Sequence, residues 1–126
     1  MSPVGLGSIS RYDLRGENLI NVFLALFALH SHTPYVYHGD CRLPNLISTT
    51  DGKLVWIDFS QGTTTEIRDA ALVEDDVKIL VRSILGEPHD SDLTSYPNVI
   101  TRISGVLLTT RDNYITIAKV VETYLI

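Results

Sequence analysis

The chain has 126 residues and a mass of 14.0 kDa, enough for one hydrophobic core and too little for two, so a single domain over 1–126 is expected. Hydrophobic residues at 44% and charged ones at 20% exclude a disordered chain. A net charge of -5 without a basic run excludes a phosphate-tracking surface, so no nucleic-acid partner is expected.

Residues 1–16 are rich in Gly and Ser and read as an irregular lead-in. Gly5-Leu6-Gly7-Ser8 reads as a turn, because a lone Gly-x-Gly without a preceding strand lacks the context of a phosphate loop. From about Glu17 to Ser31, the stripe Leu19, Ile20, Phe23, Leu24, Phe27 and Ala28 predicts a helix buried on most sides. Its apolar stretch, Leu19 to Leu29, is interrupted by Asn21 and is shorter than a bilayer span. Asp13 and Glu17 flank it and no small-residue cleavage pattern follows, unlike a signal peptide. A soluble, intracellular chain without a membrane partner is expected. His30 and His32, at the end of the helical pattern, are expected to be exposed.

The next segment, His38-Gly39-Asp40-Cys41-Arg42-Leu43-Pro44-Asn45, carries the chemistry. Asp40 and Asn45 lie too close in sequence for an intervening element, so one tight loop presents both. Two apolar runs, Leu46–Ser48 and Leu54–Ile57, flank an Asp51-Gly52 pair, a strong hairpin signal. The hairpin returns Asp58 beside Asn45. Phosphoryl transfer from a nucleotide needs a carboxylate beside the incoming hydroxyl and oxygen ligands for magnesium, and Asp40, Asn45 and Asp58 supply them. Each Asp taken singly is an ordinary solvated turn residue; their joint order points to a site. Cys41, the single cysteine, excludes an internal disulfide and fits a reducing compartment. Beside Asp40 its thiol is poorly ionised, which favours packing over nucleophilic chemistry.

Thr63-Thr64-Thr65-Glu66 reads as a short polar segment. A helix is expected from Asp75 or Asp76, with Val77, Leu80, Val81 and Ile84 inward, stopped by Gly86 and Pro88. Two further helices are expected: one from about Pro97 with Ile100, Ile103 and Leu107, another capped by Asp112 with Tyr114, Ile117, Ala118, Val121, Tyr124 and Leu125. Neither carries convergent polar chemistry, so both are assigned to core packing. Residues 17–62 thus form a helix–loop–hairpin unit and 63–126 a helical subdomain.

His38, Gly39, Asp40 and Asn45, followed by a hairpin and Asp58-Phe59, resemble the catalytic loop and metal-binding segment of the protein-kinase-like superfamily. His-Gly-Asp is similar to aminoglycoside and choline phosphotransferases, and the string His-Gly-Asp-x-Arg-x-x-Asn with Ile-Asp-Phe most resembles the kinase domains of Crinkler-type effectors. The resemblance implies a mainly α fold with a small β-hairpin, a kinase-like C-lobe lacking the N-lobe, and transfer of the γ-phosphate of ATP to a hydroxyl. It implies Asp40 as base or hydroxyl-orienting group, Arg42 facing the transferred phosphate, Asn45 and Asp58 as magnesium ligands, and Ile47 under the adenine. It further implies a structural role for His38, and an Asp76 that accepts hydrogen bonds from the catalytic-loop backbone. A carboxylate favoured by the helix dipole is the alternative for Asp76. An effector-like protein would act inside a host cell.

Two departures from the family pattern are Gly39 in place of Arg, which removes the docking point for a phosphorylated activation loop, and Ser60 in place of Gly. The Gly-rich hairpin and strand lysine of the small lobe are also missing: Lys53, Lys78 and Lys119 all follow Asp40. The chain is therefore expected to begin near the hinge, at Ser2-Pro3-Val4-Gly5, to need a missing N-lobe or partner chain for tight nucleotide binding, and to expose apolar surface there. The phosphate acceptor, protein or small molecule, is left open. One alternative is a pseudokinase-like binding module without catalysis. Another is a transition-metal hydrolase using His30, His32, His38 and Asp40.

Overall fold

The computed structural model describes residues 5–8, 16–49, 51, 53–87, 98–104 and 106–125. Along them run one strand and one helix, then four short strands and three helices: β1 (Gly5–Ser8), α1 (Glu17–His30), β2 (Tyr35–Tyr37), β3 (Leu46–Thr49), β4 (Leu54–Trp56), β5 (Thr63–Thr65), α2 (Ala70–Ile84), α3 (Val99–Ser104) and α4 (Arg111–Glu122). Single 3-10 turns stand at Leu43–Asn45 and Phe59–Gln61. The class is mixed α and β, with two small antiparallel sheets, β1-β3-β4 and β2-β5.

The core forms where α1 lies against α4 and α2 closes over the loop between β2 and β3. Leu19, Val22, Phe23 and Leu26 of α1 are buried together with Val73, Val77, Leu80, Val81 and Ile84 of α2 and Tyr114, Ile117, Ala118 and Val121 of α4. Fully burying each such aliphatic side chain is worth roughly 1.5–3 kcal/mol. The buried face of α1 is turned from the expected stripe, since Ala28 is exposed whereas Val22 and Leu26 are buried. Among the described residues no helix is long and apolar enough to cross a membrane.

Several elements differ from the sequence expectation, each for a local reason. Gly5–Ser8 is not a turn; its backbone pairs with β3, so the expected hairpin is the edge of a three-stranded sheet. Thr63–Thr65 is likewise a strand, paired with Tyr35–Tyr37. Helix α2 starts at Ala70 rather than at Asp75 or Asp76, because the Asp69 side chain accepts from the Ala71 and Leu72 amides and satisfies the first turn. Thr110, not Asp112, caps α4, in a reciprocal capping box with Asn113. Leu107 lies outside α3 and is 76% exposed. At the end of α2, Gly86 has φ 78, a conformation glycine adopts without strain. The expected hinge at 2–4, the turn glycine Gly52, Pro88 and the helix start at Pro97 lie outside the described residues.

Candidate functional site

The loop from His38 to Asn45 hangs from one buried carboxylate. Asp76 sits in the second turn of α2 and is 1% exposed. Its Oδ2 accepts from the His38 amide at 2.8 Å and its Oδ1 from the Gly39 amide at 2.9 Å. His30 Nε2 lies 2.7 Å from the same Oδ2, and His30 Nδ1 lies 2.7 Å from the Tyr114 hydroxyl. The Asp76 carboxylate can only accept, so His30 Nε2 carries the proton that faces it, and Nδ1 pairs with the phenol. Burial pushes the Tyr114 phenol well above its usual range, keeping it a donor. Helices α1, α2 and α4 thus meet in one polar chain ending on the loop. A second strut joins the Leu43 amide to Ser83 Oγ of α2 at 2.8 Å.

His38 turns the chain inward. It is fully buried; its Nδ1 accepts from the Asp40 amide at 3.1 Å and its Nε2 donates to the Ile57 carbonyl at 2.6 Å. The loop and the end of β4 are therefore tied together. The ring also packs on Phe59 at 4.7 Å and on Trp56 at 5.3 Å. Gly39 follows with φ 82, and a Cβ there would stand 2.1 Å from the Gln61 carbonyl oxygen. Only glycine admits that approach, so the residue before Asp40 lets the 3-10 turn at 59–61 close over the loop.

Asp40 is held by two side chains. Arg42 Nε donates to its Oδ1 at 2.7 Å and Arg42 Nη2 to its Oδ2 at 3.0 Å, a two-pronged fork. Asn45 Nδ2 donates to Asp40 Oδ2 at 3.1 Å and to the Asp40 carbonyl at 3.0 Å. The Arg42 hydrogen bond, helped by its charge and by Asn45, lowers the Asp40 pKa below the usual carboxylate range even against partial burial. Asn45 is buried; its amide nitrogen faces Asp40, and its Oδ1 takes no hydrogen bond among the described residues.

Asp58 comes to the same end through sheet register: Leu46 pairs with Trp56, and the Ile57 amide donates to the Asn45 carbonyl at 2.8 Å. Its backbone is left-handed, φ 61 and ψ 69, a conformation Asp tolerates better than most residues. Ser60 Oγ donates to Asp58 Oδ1 at 2.9 Å. Asp58's negative charge also raises the Arg42 pKa, after the larger effects of Asp40. Ile47, half-buried in β3, stands opposite Val55. Val55, Ile57 and Phe59 are 40%, 39% and 43% exposed, so three large apolar side chains from β4 to the following 3-10 turn stand partly open to solvent.

Sequence reasoning missed three contributors. His30, expected to be exposed, is buried at 4%; its spacing to Asp76 bridges two helices and has no local signature. Tyr114, expected as core, also carries the buried hydroxyl of that chain. Ser60, noted only as a departure, orients Asp58. Cys41 is fully buried, and burial, followed by the Asp76 charge, pushes its thiol well above the usual range. The histidine-based metal set does not gather. Both ring nitrogens of His30 and of His38 are engaged, and His32 Nδ1 lies 3.2 Å from the Pro34 carbonyl. Among the described residues no group of three or more His, Cys, Asp or Glu side chains is placed to hold a metal. A scan of protein-family models matches none to this chain, and a search of curated proteins returns no match.

Proposed function

We propose that the chain is the large lobe of a protein-kinase-like phosphotransferase that transfers the γ-phosphate of ATP to a hydroxyl. The observation that carries the reading is the fixed triangle of Asp40, Arg42 and Asn45, with Asp58 returned to it by β4 and the whole loop suspended from Asp76. Asn45 Oδ1 and the Asp58 oxygen not bonded to Ser60 are hard oxygen donors of the kind magnesium takes, one or two protein ligands at a time. Magnesium bound there would neutralise charge on the nucleotide phosphates. Asp40, ionised at neutral pH, accepts the hydrogen bond of the incoming hydroxyl and orients its lone pair. Its lowered pKa suits that orienting role better than early proton abstraction. Arg42, already at Asp40, is placed to meet the transferred phosphate as charge shifts toward the acceptor. Ile47 offers an apolar floor for the adenine.

The exposed apolar side chains of Val55, Ile57 and Phe59 support a surface made to be covered, by a small lobe or by a partner chain. It equally favours the second reading, a pseudokinase-like binding module in which this lobe docks without catalysis. Phosphate transfer from Mg-ATP by the full-length protein and its Asp40→Asn variant tests the first reading: a loss of about a hundredfold or more is expected when the acceptor-orienting carboxylate is removed. Equal rates remove Asp40 from the mechanism. Calorimetry with Mg-ATP separates the two readings, since micromolar binding by this chain alone counts against a docking module without nucleotide.

A further inference from the structure

We infer that a cavity between the end of α1 and the start of α4 binds a small carboxylate on an apolar body, and that its occupancy reaches the catalytic loop. Neither part rests on the phosphotransferase reading. The cavity holds about 250 Å³, below the roughly 300–1,000 Å³ of drug-sized sites, so its ligand is small. Arg68, between β5 and α2, is the one residue of fixed charge in its lining, and no carboxylate lines it. Arg68 is half-buried and donates through Nη2 to the Leu108 carbonyl. Burial raises the Tyr114 phenol pKa, and the neighbouring Arg68 charge opposes that rise. Among the described residues no carboxylate pairs with Arg68. A guanidinium drawn from water beside neutral acceptors alone is undercompensated, and it has N–H donors to spare in the fork that fits a carboxylate. The last turn of α1 and the start of α4 both border the cavity. Their dipoles oppose one another there, so Arg68 sets the sign.

The walls suit an aromatic or branched body. Phe27, Tyr35 and Leu108 are each only half-buried where they line the cavity, and the Phe27 ring meets that of Tyr114 edge-on at 5.2 Å. Ile67 and Leu107, 83% and 76% exposed, are the most exposed large hydrophobic residues among those described, and each is next in sequence to a lining residue. The carboxylate is therefore that of a free acid or of a peptide C-terminus whose preceding residues lie over Ile67 and Leu107; either presents the same group to Arg68. His30 and Tyr114 complete the wall. Their hydrogen bond continues through Asp76 to the amides of His38 and Gly39. A ligand that orders this wall restricts the Tyr114 hydroxyl, and with it the carboxylate from which the loop hangs.

The test titrates the full chain with phenylacetate and with uncharged phenylacetamide, and with the peptide acetyl-Gly-Leu-Phe as free acid and as amide, read by backbone NMR shifts and hydrogen exchange. Saturable shifts at Ser31, Arg68, Leu108 and Thr109 are expected, with an acid bound about tenfold or more tightly than its amide. Slower exchange at Gly39 is expected at saturation. Arg68→Gln is expected to erase the preference for acid over amide and Arg68→Lys to keep part of it. Ser31→Trp, at an exposed rim position outside the core, blocks the cavity in a second way. Tyr114→Phe is expected to keep the binding and lose the effect on Gly39. Ile67→Ser separates the two sources, since it weakens the peptide acid and leaves phenylacetate unchanged if the natural ligand is a peptide terminus, and weakens neither if it is a free acid. Absence of saturable shifts, or equal affinity for acid and amide, overturns the site. Saturation with unchanged exchange at Gly39 overturns the coupling.

Discussion

Replacing Asp76 by Asn isolates what the buried carboxylate does. The side chain accepts from His30 Nε2 at 2.7 Å, the His38 amide at 2.8 Å and the Gly39 amide at 2.9 Å, at 1% exposure. Asn is nearly the same shape, so no cavity opens. With its carbonyl in the Oδ2 position it keeps His30 and His38, but its NH2 then faces the Gly39 N–H, donor against donor. One hydrogen bond to a charged acceptor, worth roughly 1.5–3 kcal/mol, is lost and the other two weaken, so a cost of about 2–4 kcal/mol is expected. Against a typical domain stability of about 5–15 kcal/mol that is readily measured. Asp76→Ala strands two buried donors, His30 Nε2 and the His38 amide, at roughly 1–3 kcal/mol each, not fully additive, and frees the part-buried Gly39 amide; it is expected to cost more than Asp76→Asn. Urea denaturation read by Trp56, the single tryptophan, whose ring lies 5.3 Å from that of His38, gives the stability; hydrogen exchange at Gly39 gives the loop. A cost below about 0.5 kcal/mol, the range of ordinary surface changes, with Gly39 still protected, refutes the anchoring role.

Gly39→Ala combines a left-handed backbone, costing an L-residue roughly 1–2 kcal/mol, with a Cβ 2.1 Å from the Gln61 carbonyl; a loss of at least about 2 kcal/mol is expected, and an unchanged melting temperature is the contrary result. Arg42→Ala removes the group that holds the Asp40 carboxyl low, so carbon-detected NMR titration is expected to show its pKa rising toward the ordinary value near ~4. A depressed folded-state pKa stabilises above the unfolded pKa, and that contribution fades as pH falls through the folded one. The variant therefore loses stability at neutral pH and not in strong acid, by about 1 kcal/mol or less for so exposed a pair. Cys41, buried and poorly ionised, is expected to resist thiol reagents at neutral pH and to label only with unfolding; rapid labelling of the native protein contradicts the packing described.

Much of the architecture was legible because it rests on local rules. The apolar run after Glu17 and the stop at Gly86 follow from helical spacing and backbone freedom, and the hairpin from β3 to β4 follows from two apolar runs around Asp51. Strands β1 and β5 were illegible for the converse reason. Gly5–Ser8 has little strand pattern of its own, and Thr63–Thr65, though β-branched, is too short and too polar a run to mark a strand; each is a strand because β3 or β2 offers it a partner. The start of α2 is set by Asp69, a cap that apolar spacing does not mark, so spacing alone puts Asp76 at the helix start, where the dipole would explain it. In the second turn, and buried, it is explained by the donors it accepts.

Spacing alone was enough to bring Asp40 and Asn45 together, since a loop of that length has nowhere else to put them, and to return Asp58 by way of a hairpin. The suspension of that loop was beyond its reach. His30, Asp76 and Tyr114 stand on three helices, 46 and 84 positions from His30 in sequence, and no periodicity links such residues. Their contact exists only once α1, α2 and α4 have buried their apolar faces against one another. Packing then leaves a carboxylate without water, and the backbone amides of His38 and Gly39 become the donors that satisfy it.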